Sequence, residues 1–184
     1  MQPAEPVEFS RPVAVDRIAS APSRVEIAAE PAELAALAAR FGLLSLDRFT
    51  ASFTLRRLRK DLIRVRGQLA ASLVQACVVT LDPVPAEIAE AFEVDFLEGH
   101  HRDEAELDLD LEAADAPEPL DGPEIDLGEV AAEQLGLAID PYPRRPGAEI
   151  PAEWVAEPAP EPTPAEKVKP FAGLDKLRKG GDGS

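Results

Sequence analysis

The sequence predicts an α+β domain in which an antiparallel β-meander forms a sheet covered by two helices. Between Phe49 and Leu97, three runs alternate apolar and polar residues with period two, as strands with one buried face do. Residues 31–42 and 126–138 instead repeat apolar residues at helical spacing. Between and after these segments the chain is acidic and rich in proline, which indicates stretches outside the packed domain.

The alternation assigns a buried face to each of the three strands. Turn formers separate the strands, with Arg59-Lys60-Asp61 at the first corner and Asp82-Pro83, followed by Pro85, at the second. Weaker alternation in FSRPVAVDRI and RVEIAA predicts two short strands before the meander. The side chains predicted to be buried are those of Phe49, Ala51, Phe53, Leu55, Ile63, Val65, Leu69, Ala71, Leu73, Ile88, Phe92, Val94 and Phe96.

Terminal signals mark both helices. Pro31 suits a first helical turn, and Gly42 is the expected C-cap. Asp126, followed three residues later by Glu129, begins the second helix in the manner of a capping box, and Pro141 ends it. We expect the apolar stripe of the first helix to cover the buried face of the meander. That stripe consists of Leu34, Leu37, Ala38 and Phe41.

These elements predict one domain over residues 8–142. Residues 98–122 form an acidic, mobile insert in it, and residues 143–184 form a disordered linker rich in Pro, Ala and Glu. The linker ends in a short basic and apolar segment with Phe171, Leu174 and Leu177 on one side. This segment is too short to fold alone, so it either clasps its own domain or binds a groove on a partner.

Charge is distributed unevenly along the 184 residues, whose net charge is -16. Residues 1–81 carry 11 basic and 8 acidic side chains, residues 82–166 carry 3 and 25, and residues 167–184 carry 5 and 2. An acidic chain repels phosphate backbones at long range, so direct RNA binding requires a local basic patch. Proteins are the easier partners, and the acidic tract 98–122 serves either solubility or the docking of a basic partner.

The best candidate for such a patch is the hairpin between the first two strands. Its cations are Arg56, Arg57, Arg59, Lys60, Arg64 and Arg66. We expect Arg64 and Arg66 to form cross-strand ion pairs with carboxylates of the third strand, namely Glu87, Glu93 and Asp95. Arg56, Arg57, Arg59 and Lys60 remain as candidate contacts for RNA phosphates or for an acidic protein surface. The hairpin has no interleaved aromatic residue for base stacking, which weakens the RNA interpretation.

The sequence offers no catalytic constellation, metal site or cofactor motif, so we predict that the protein is not an enzyme. His100 and His101 lie in the acidic insert, where adjacent side chains rarely converge on one ion. The single cysteine, Cys77, excludes an internal disulfide and is expected to be a small buried strand residue. No apolar run approaches the roughly 20 residues that span a bilayer, and we expect a cytoplasmic protein.

Several blocks of the chain resemble, in order, the alphaproteobacterial branch of the YceD family of large ribosomal RNA subunit accumulation proteins. The most specific are QACVVTLDPV and DLGEVAAEQLGLAIDPYPR, supported by FSRPVAVDRI, ALAARFGLLSL and the terminal KPFAGLDKLRK. Many relatives carry a Cys-x-x-Cys pair where this chain has Cys77, Val78, Val79 and Thr80. Because Thr80 replaces the second cysteine, the resemblance implies no metal or redox chemistry here.

The resemblance implies a non-enzymatic ribosome biogenesis factor needed for normal accumulation of large-subunit ribosomal RNA. Acting by binding, such a factor would engage a ribosomal protein or a pre-ribosomal large-subunit particle, with possible direct contact to the RNA. The alternative is an acidic escort that holds a basic ribosomal protein and does not touch RNA. Neither hypothesis requires a membrane or a small-molecule substrate.

Overall fold

The computed structural model describes residues 7–99, 116–120 and 122–149. In this part of the chain the fold is a mixed α+β arrangement of seven strands, a 3₁₀ turn at Val15–Arg17 and two α-helices. The strands are β1 (Pro12–Ala14), β2 (Ser23–Ala28), β3 (Ser45–Arg59), β4 (Leu62–Ala76), β5 (Pro83–Glu98), β6 (Glu118–Leu120) and β7 (Glu124–Asp126). The helices are α1 (Pro31–Arg40) and α2 (Leu127–Ala138).

Five strands form the main sheet, in the order β2-β3-β4-β5-β6. Strands β2 to β5 are antiparallel to their neighbours, and only β6 runs parallel, pairing with β5 over Phe96–Glu98. Strands β1 and β7 form a separate two-stranded antiparallel sheet. The predicted meander is therefore confirmed as β3-β4-β5, and the sheet extends beyond it by one strand on each side.

The hairpin between β3 and β4 is the longest local element of the fold. Its two strands of 15 residues each are joined by a two-residue turn at Lys60 and Asp61. The pairing is continuous from Ser45↔Val74 to Arg59↔Leu62 except for irregularities after Leu46 and Arg57. A two-residue connection fixes the register of the hairpin and hence the face on which each side chain lies.

One face of the sheet is buried and is called the inner face below. On β3 and β4 it carries the residues that the sequence predicts to be buried. Every predicted core residue of these two strands is at most 5 % exposed. The prediction is wrong for most of β5, where only Phe96 is buried. Ile88, Phe92 and Val94 are partly buried and pack against the core, because β5 lies near the edge of the sheet and β6 extends the sheet beside only its last three residues.

Helix α1 and the N-terminal segment cover one part of the inner face. The helix begins at Pro31, as predicted, and its Leu37 is fully buried. Its C-cap is Phe41, and Gly42, the predicted cap, is the next residue, at φ 64°. Phe9 lies against Phe49 with the ring centroids 5.6 Å apart. The two interpretations that the helix starts at Pro31 and that it packs on the meander are confirmed.

Asp126 joins the second helix to the N-terminal segment. Its carboxylate accepts hydrogen bonds from the backbone N–H groups of Gly128 and Glu129, which form the predicted cap of α2. It also accepts one from the backbone N–H of Arg11 at 2.7 Å. Six residues of α2 are buried, so the helix contributes a whole apolar side to the core. The buried residues of α2 are Leu127, Gly128, Val130, Ala131, Ala132 and Leu135.

The predictions for the early strands and for the second corner agree with the structure only in part. Of the two early strands, RVEIAA becomes β2, whereas FSRPVAVDRI forms only the three-residue β1 before the 3₁₀ turn. Strand β5 begins at Pro83, so Pro85 lies inside the strand rather than at the corner. Residues 100–115 and 121 of the predicted insert and residues 150–184 of the predicted linker fall outside the described residues. The domain bounds 8–142 stay a prediction.

The close contact at Gly128 gives a test of how α2 packs against the N-terminal segment. A Cβ atom at this position would lie 2.3 Å from the carbonyl oxygen of Phe9, which belongs to the backbone and has no flexible side chain to move aside. We expect Gly128→Ala to lower the free energy of unfolding by about 1–3 kcal/mol despite the better helix propensity of alanine. Urea unfolding measures the change. The control is Leu137→Ala in the same helix, since Leu137 is 79 % exposed. It should change the free energy of unfolding by less than about 0.5 kcal/mol. Equal losses in the two variants would contradict the close contact at Gly128.

Candidate functional site

The tip of the β3-β4 hairpin carries two exposed cations. Arg59 and Lys60 are both exposed, and the Arg59 guanidinium lies 3.3 Å from the Asp61 carboxylate. An exposed pair of this kind contributes little to stability, so Arg59 can exchange this partner for another anion at small cost. Both residues lie where a partner can reach them.

Arg57 occupies a different position from its neighbours. Its guanidinium bonds both oxygens of Glu98, at 3.0 and 3.2 Å, and donates to the backbone carbonyls of Val15, Ile18 and Lys60 at distances from 2.7 to 3.1 Å. Only 20 % of the side chain is exposed. The candidate binding residue Arg57 is thus an internal tie between the 3₁₀ turn, the hairpin and the end of β5.

Arg56 points to the opposite face of the sheet, called the outer face below. Its Nε donates to the Ser20 carbonyl at 3.0 Å, and among the described residues it forms no ion pair. The register sets Arg56 directly opposite Arg64 on β4. Like charges that face each other across two strands repel, so this pair is unfavourable unless anions lie nearby.

Arg64 and Arg66 have carboxylate partners on β5, as predicted. Arg64 bonds Asp95 through two nitrogens, at 2.8 and 2.7 Å, and contacts Glu93 at 3.0 Å, while Arg66 contacts the other oxygen of Glu93. The Arg64 guanidinium holds the pKa of Asp95 below its usual range. The prediction is wrong for Glu87, which accepts a hydrogen bond from Ser72 and lies 3.7 Å from Arg48.

Cys77 is buried, as predicted, but it follows β4 rather than lying within it. Its Sγ accepts the backbone N–H of Arg145 at 3.4 Å. This hydrogen bond and one from the Thr80 hydroxyl lower the pKa of the thiol to about 6, against the effect of burial, which raises it. The turn also holds the chain after α2, since the Val78 N–H donates to the Pro143 carbonyl at 2.9 Å.

Two residues of the charged surface were missed by sequence reasoning. Arg24 on β2 and Thr54 on β3 are paired directly, and Thr54 faces Arg66 on its other side. The period-two pattern placed Thr54 on the polar face of β3. It could not show that β2 pairs with β3 and brings Arg24 next to Thr54. Phe171, Leu174 and Leu177, the candidate residues of the C-terminal segment, lie outside the described residues.

The described residues contain no group of three or more His, Cys, Asp and Glu side chains able to hold a metal ion. His100 and His101 fall outside them. Among the helices that the structure describes, none is long and apolar enough to span a bilayer.

The fold and its charged surface define a class: a small α+β domain built on an antiparallel meander, with a buried inner face and a charged outer face. A family model described as "Large ribosomal RNA subunit accumulation protein YceD" matches residues 65–178. The match spans more than half of the chain, which therefore belongs to the YceD family. No significant match was found among curated proteins or among solved structures.

The family assignment confirms the resemblance recognised in the sequence and implies a role in the accumulation of large-subunit ribosomal RNA. The family is described as an accumulation factor and not as an enzyme. Arg66 and Cys77 lie within the matched residues, whereas Arg56 to Lys60 precede them. The assignment therefore says nothing about the hairpin tip, whose role must be argued from its own surroundings.

Substitutions of Arg57 and Arg59 can be compared to distinguish a cation with a structural role from one that is accessible to a partner. We expect Arg57→Gln to lower the free energy of unfolding by about 2–3 kcal/mol, because it leaves three carbonyls and a half-buried carboxylate without their donor. Arg59→Gln removes the same charge two residues away and should change stability by less than about 0.5 kcal/mol. Chemical unfolding of both variants measures the difference. Equal stability would show that Arg57 is not the tie described above.

Cys77 gives a prediction about pH. The ultraviolet absorbance of its thiolate should titrate with a midpoint of about 6, and Thr80→Val should raise that midpoint by removing a donor. Because the folded pKa lies below the value of about 8.5 typical of unfolded chains, the stabilisation is full above about 8.5. It is lost as the pH falls towards about 6. A midpoint above 8 in the folded protein would contradict the hydrogen bonds assigned to Sγ.

Proposed function

We propose that the protein is a non-enzymatic ribosome biogenesis factor that supports accumulation or maturation of large-subunit ribosomal RNA by binding. It engages a ribosomal protein or a pre-ribosomal large-subunit particle in the cytoplasm, through the basic hairpin and the acidic arm of residues 98–122. Of the four hairpin candidates, Arg56, Arg59 and Lys60 serve as contacts, whereas Arg57 is committed to internal bonds.

The observation that carries this proposal is the exposure of the hairpin cations in a chain that belongs to a ribosomal RNA accumulation family. Both strands of the hairpin are paired along their length, so the backbone at its tip is held in a defined position. Binding sites on rigid elements lose less conformational entropy than sites on mobile loops.

A second candidate is the acidic escort of a basic ribosomal protein, with no contact to RNA. The charge of residues 82–166 favours it, because 25 acidic side chains oppose only 3 basic ones there. A field of one sign accelerates association with a partner of the opposite sign and raises specificity more than affinity.

Purification of the tagged chain from cells separates the two candidates. Under direct engagement of the precursor particle, large-subunit precursor RNA should co-purify with the chain. Its amount should fall in the double variant Arg59→Gln and Lys60→Gln, because each substitution removes a phosphate contact. The escort candidate instead predicts a basic ribosomal protein that co-purifies after ribonuclease treatment and is lost when residues 100–115 of the acidic arm are deleted, a change that keeps Glu98 and β6.

The control is Arg144→Gln, which removes an exposed cation from the loop after α2. In a deletion strain, large-subunit RNA should fall relative to small-subunit RNA. Unchanged RNA levels in that strain, together with no ribosomal component in the purification, would overturn the proposed function as a whole.

A further inference from the structure

The outer face carries its arginines in two adjacent rows across the strands. One row contains Arg56, Arg64 and Asp95, and the next contains Arg24, Thr54, Arg66 and Glu93. Directly opposed residues on antiparallel strands have Cβ atoms about 4.5–5.5 Å apart, and diagonal neighbours are about 7–8 Å apart. Four guanidinium groups therefore share a small area with two carboxylates.

A cleft lies among these side chains. It has a volume of about 130 Å³ and is lined by Pro22, Thr54, Arg56, Leu58, Arg64 and Arg66. Thr54 and Arg66 also line a larger, shallow depression of about 590 Å³, which reaches Arg24 on one side and Glu93 on the other. The cleft is thus the arginine end of a trough that runs along the outer face.

Beyond the arginines the trough has a floor of small side chains. A depression of about 690 Å³ continues from the previous one and shares Glu26, Ser52, Gln68 and Ala91 with it. Ala28, Thr50, Ala70 and Ala89 line this end, and Glu26 is the one carboxylate there among the described residues whose register places it on the outer face. The excess of positive charge is therefore confined to the arginine end.

The carboxylates do not balance the arginines at that end. Asp95 and Glu93 are used by Arg64 and Arg66, so they leave Arg56 and Arg24 without an ion pair among the described residues. Arg56 also faces Arg64 directly, and Asp95, which lies beyond Arg64 on β5, offsets this repulsion only in part. A bound anion between the two rows would remove this repulsion and accept hydrogen bonds from several guanidinium groups.

We infer that the cleft and the adjoining depression form a phosphate-binding site for the backbone of single-stranded RNA. Arg56 in the cleft and Arg24 in the depression supply the uncompensated charge, and Thr54, which lines both, supplies a hydroxyl donor. This inference rests on the proposed function and names its contact surface. Arginine forms paired, planar hydrogen bonds with phosphate oxygens, and hydroxyl side chains are common phosphate donors. The carboxylate of Glu26, which lines both depressions next to the arginine end, limits the contact to one or two phosphates.

The test is fluorescence anisotropy of a labelled single-stranded fragment of large-subunit precursor RNA with the full chain, over a range of salt concentrations. The double variant Arg24→Gln and Arg56→Gln leaves both arginine–carboxylate pairs on β5 intact. It should weaken binding about tenfold or more per lost contact and reduce the slope of log K against log salt by about 0.7 per phosphate. Thr54→Val, which keeps shape and charge, should weaken binding about fivefold.

The matched control is Arg17→Gln with Arg144→Gln, which removes two exposed cations that do not line the trough. Arg56→Lys should recover part of the affinity, since it restores the charge but not the fork of donors. Inorganic phosphate should compete with the RNA for the wild-type chain and not for the double variant.

Two results would overturn the inference. If the double variant and the control bind RNA equally well, the contact lies elsewhere and the proposed function stands. If the wild-type chain binds a poly-glutamate peptide at the cleft and no RNA at low salt, the cleft recognises acidic protein instead. The proposed function itself fails only in the deletion strain and the purification described above.

Discussion

The antiparallel register of β3 on β4 is the constraint on which the rest of this structure depends. It puts Phe49, Phe53 and Leu55 on one face with the apolar residues of β4, and by the same alternation it puts Arg56 opposite Arg64 on the other face. A slip of one residue would turn both sets over, exposing the core and burying the arginines. The two facing arginines repel each other and would not be brought together without other contacts. Burial of the inner face contributes more free energy than this repulsion costs, so the register is kept.

The alternation also explains why adjacent arginines have different fates. Arg57 is in phase with Leu55 and points towards the rim of the inner face, where backbone carbonyls of the 3₁₀ turn and Glu98 surround it. Arg56 is out of phase and points to the outer face. The sequence contained this distinction, since the predicted buried positions continue in steps of two from Phe49 to position 57. Treating the hairpin cations as one patch, by charge alone, concealed it.

What could be predicted from the sequence was local or depended on the strand period. The cap at Asp126, the start at Pro31, the turn at Lys60 and the core of β3 and β4 all follow from neighbouring residues. The parallel pairing of β6 and the flanking position of β2 depend on contacts between distant segments, which no local pattern records. Burial on β5 was overestimated for the same reason, because the pattern shows which face is apolar and not how far another element covers it. The low pKa of Cys77 depends on a donor 68 residues away, at Arg145.

A net charge of -16 does not conflict with a phosphate contact, because the two act over different distances. At physiological ionic strength the Debye length is about 8 Å, so exposed carboxylates of the acidic segments are largely screened from a ligand at the arginine rows unless they lie close by. Guanidinium groups in direct contact with an anion are screened much less. The acidic charge then reduces the rate of encounter with nucleic acid and suppresses binding at random positions, whereas the arrangement of Arg24, Thr54 and Arg56 decides what is held. Such a chain would hold RNA at few phosphates, with the weak non-specific affinity that suits transient association during assembly rather than permanent residence.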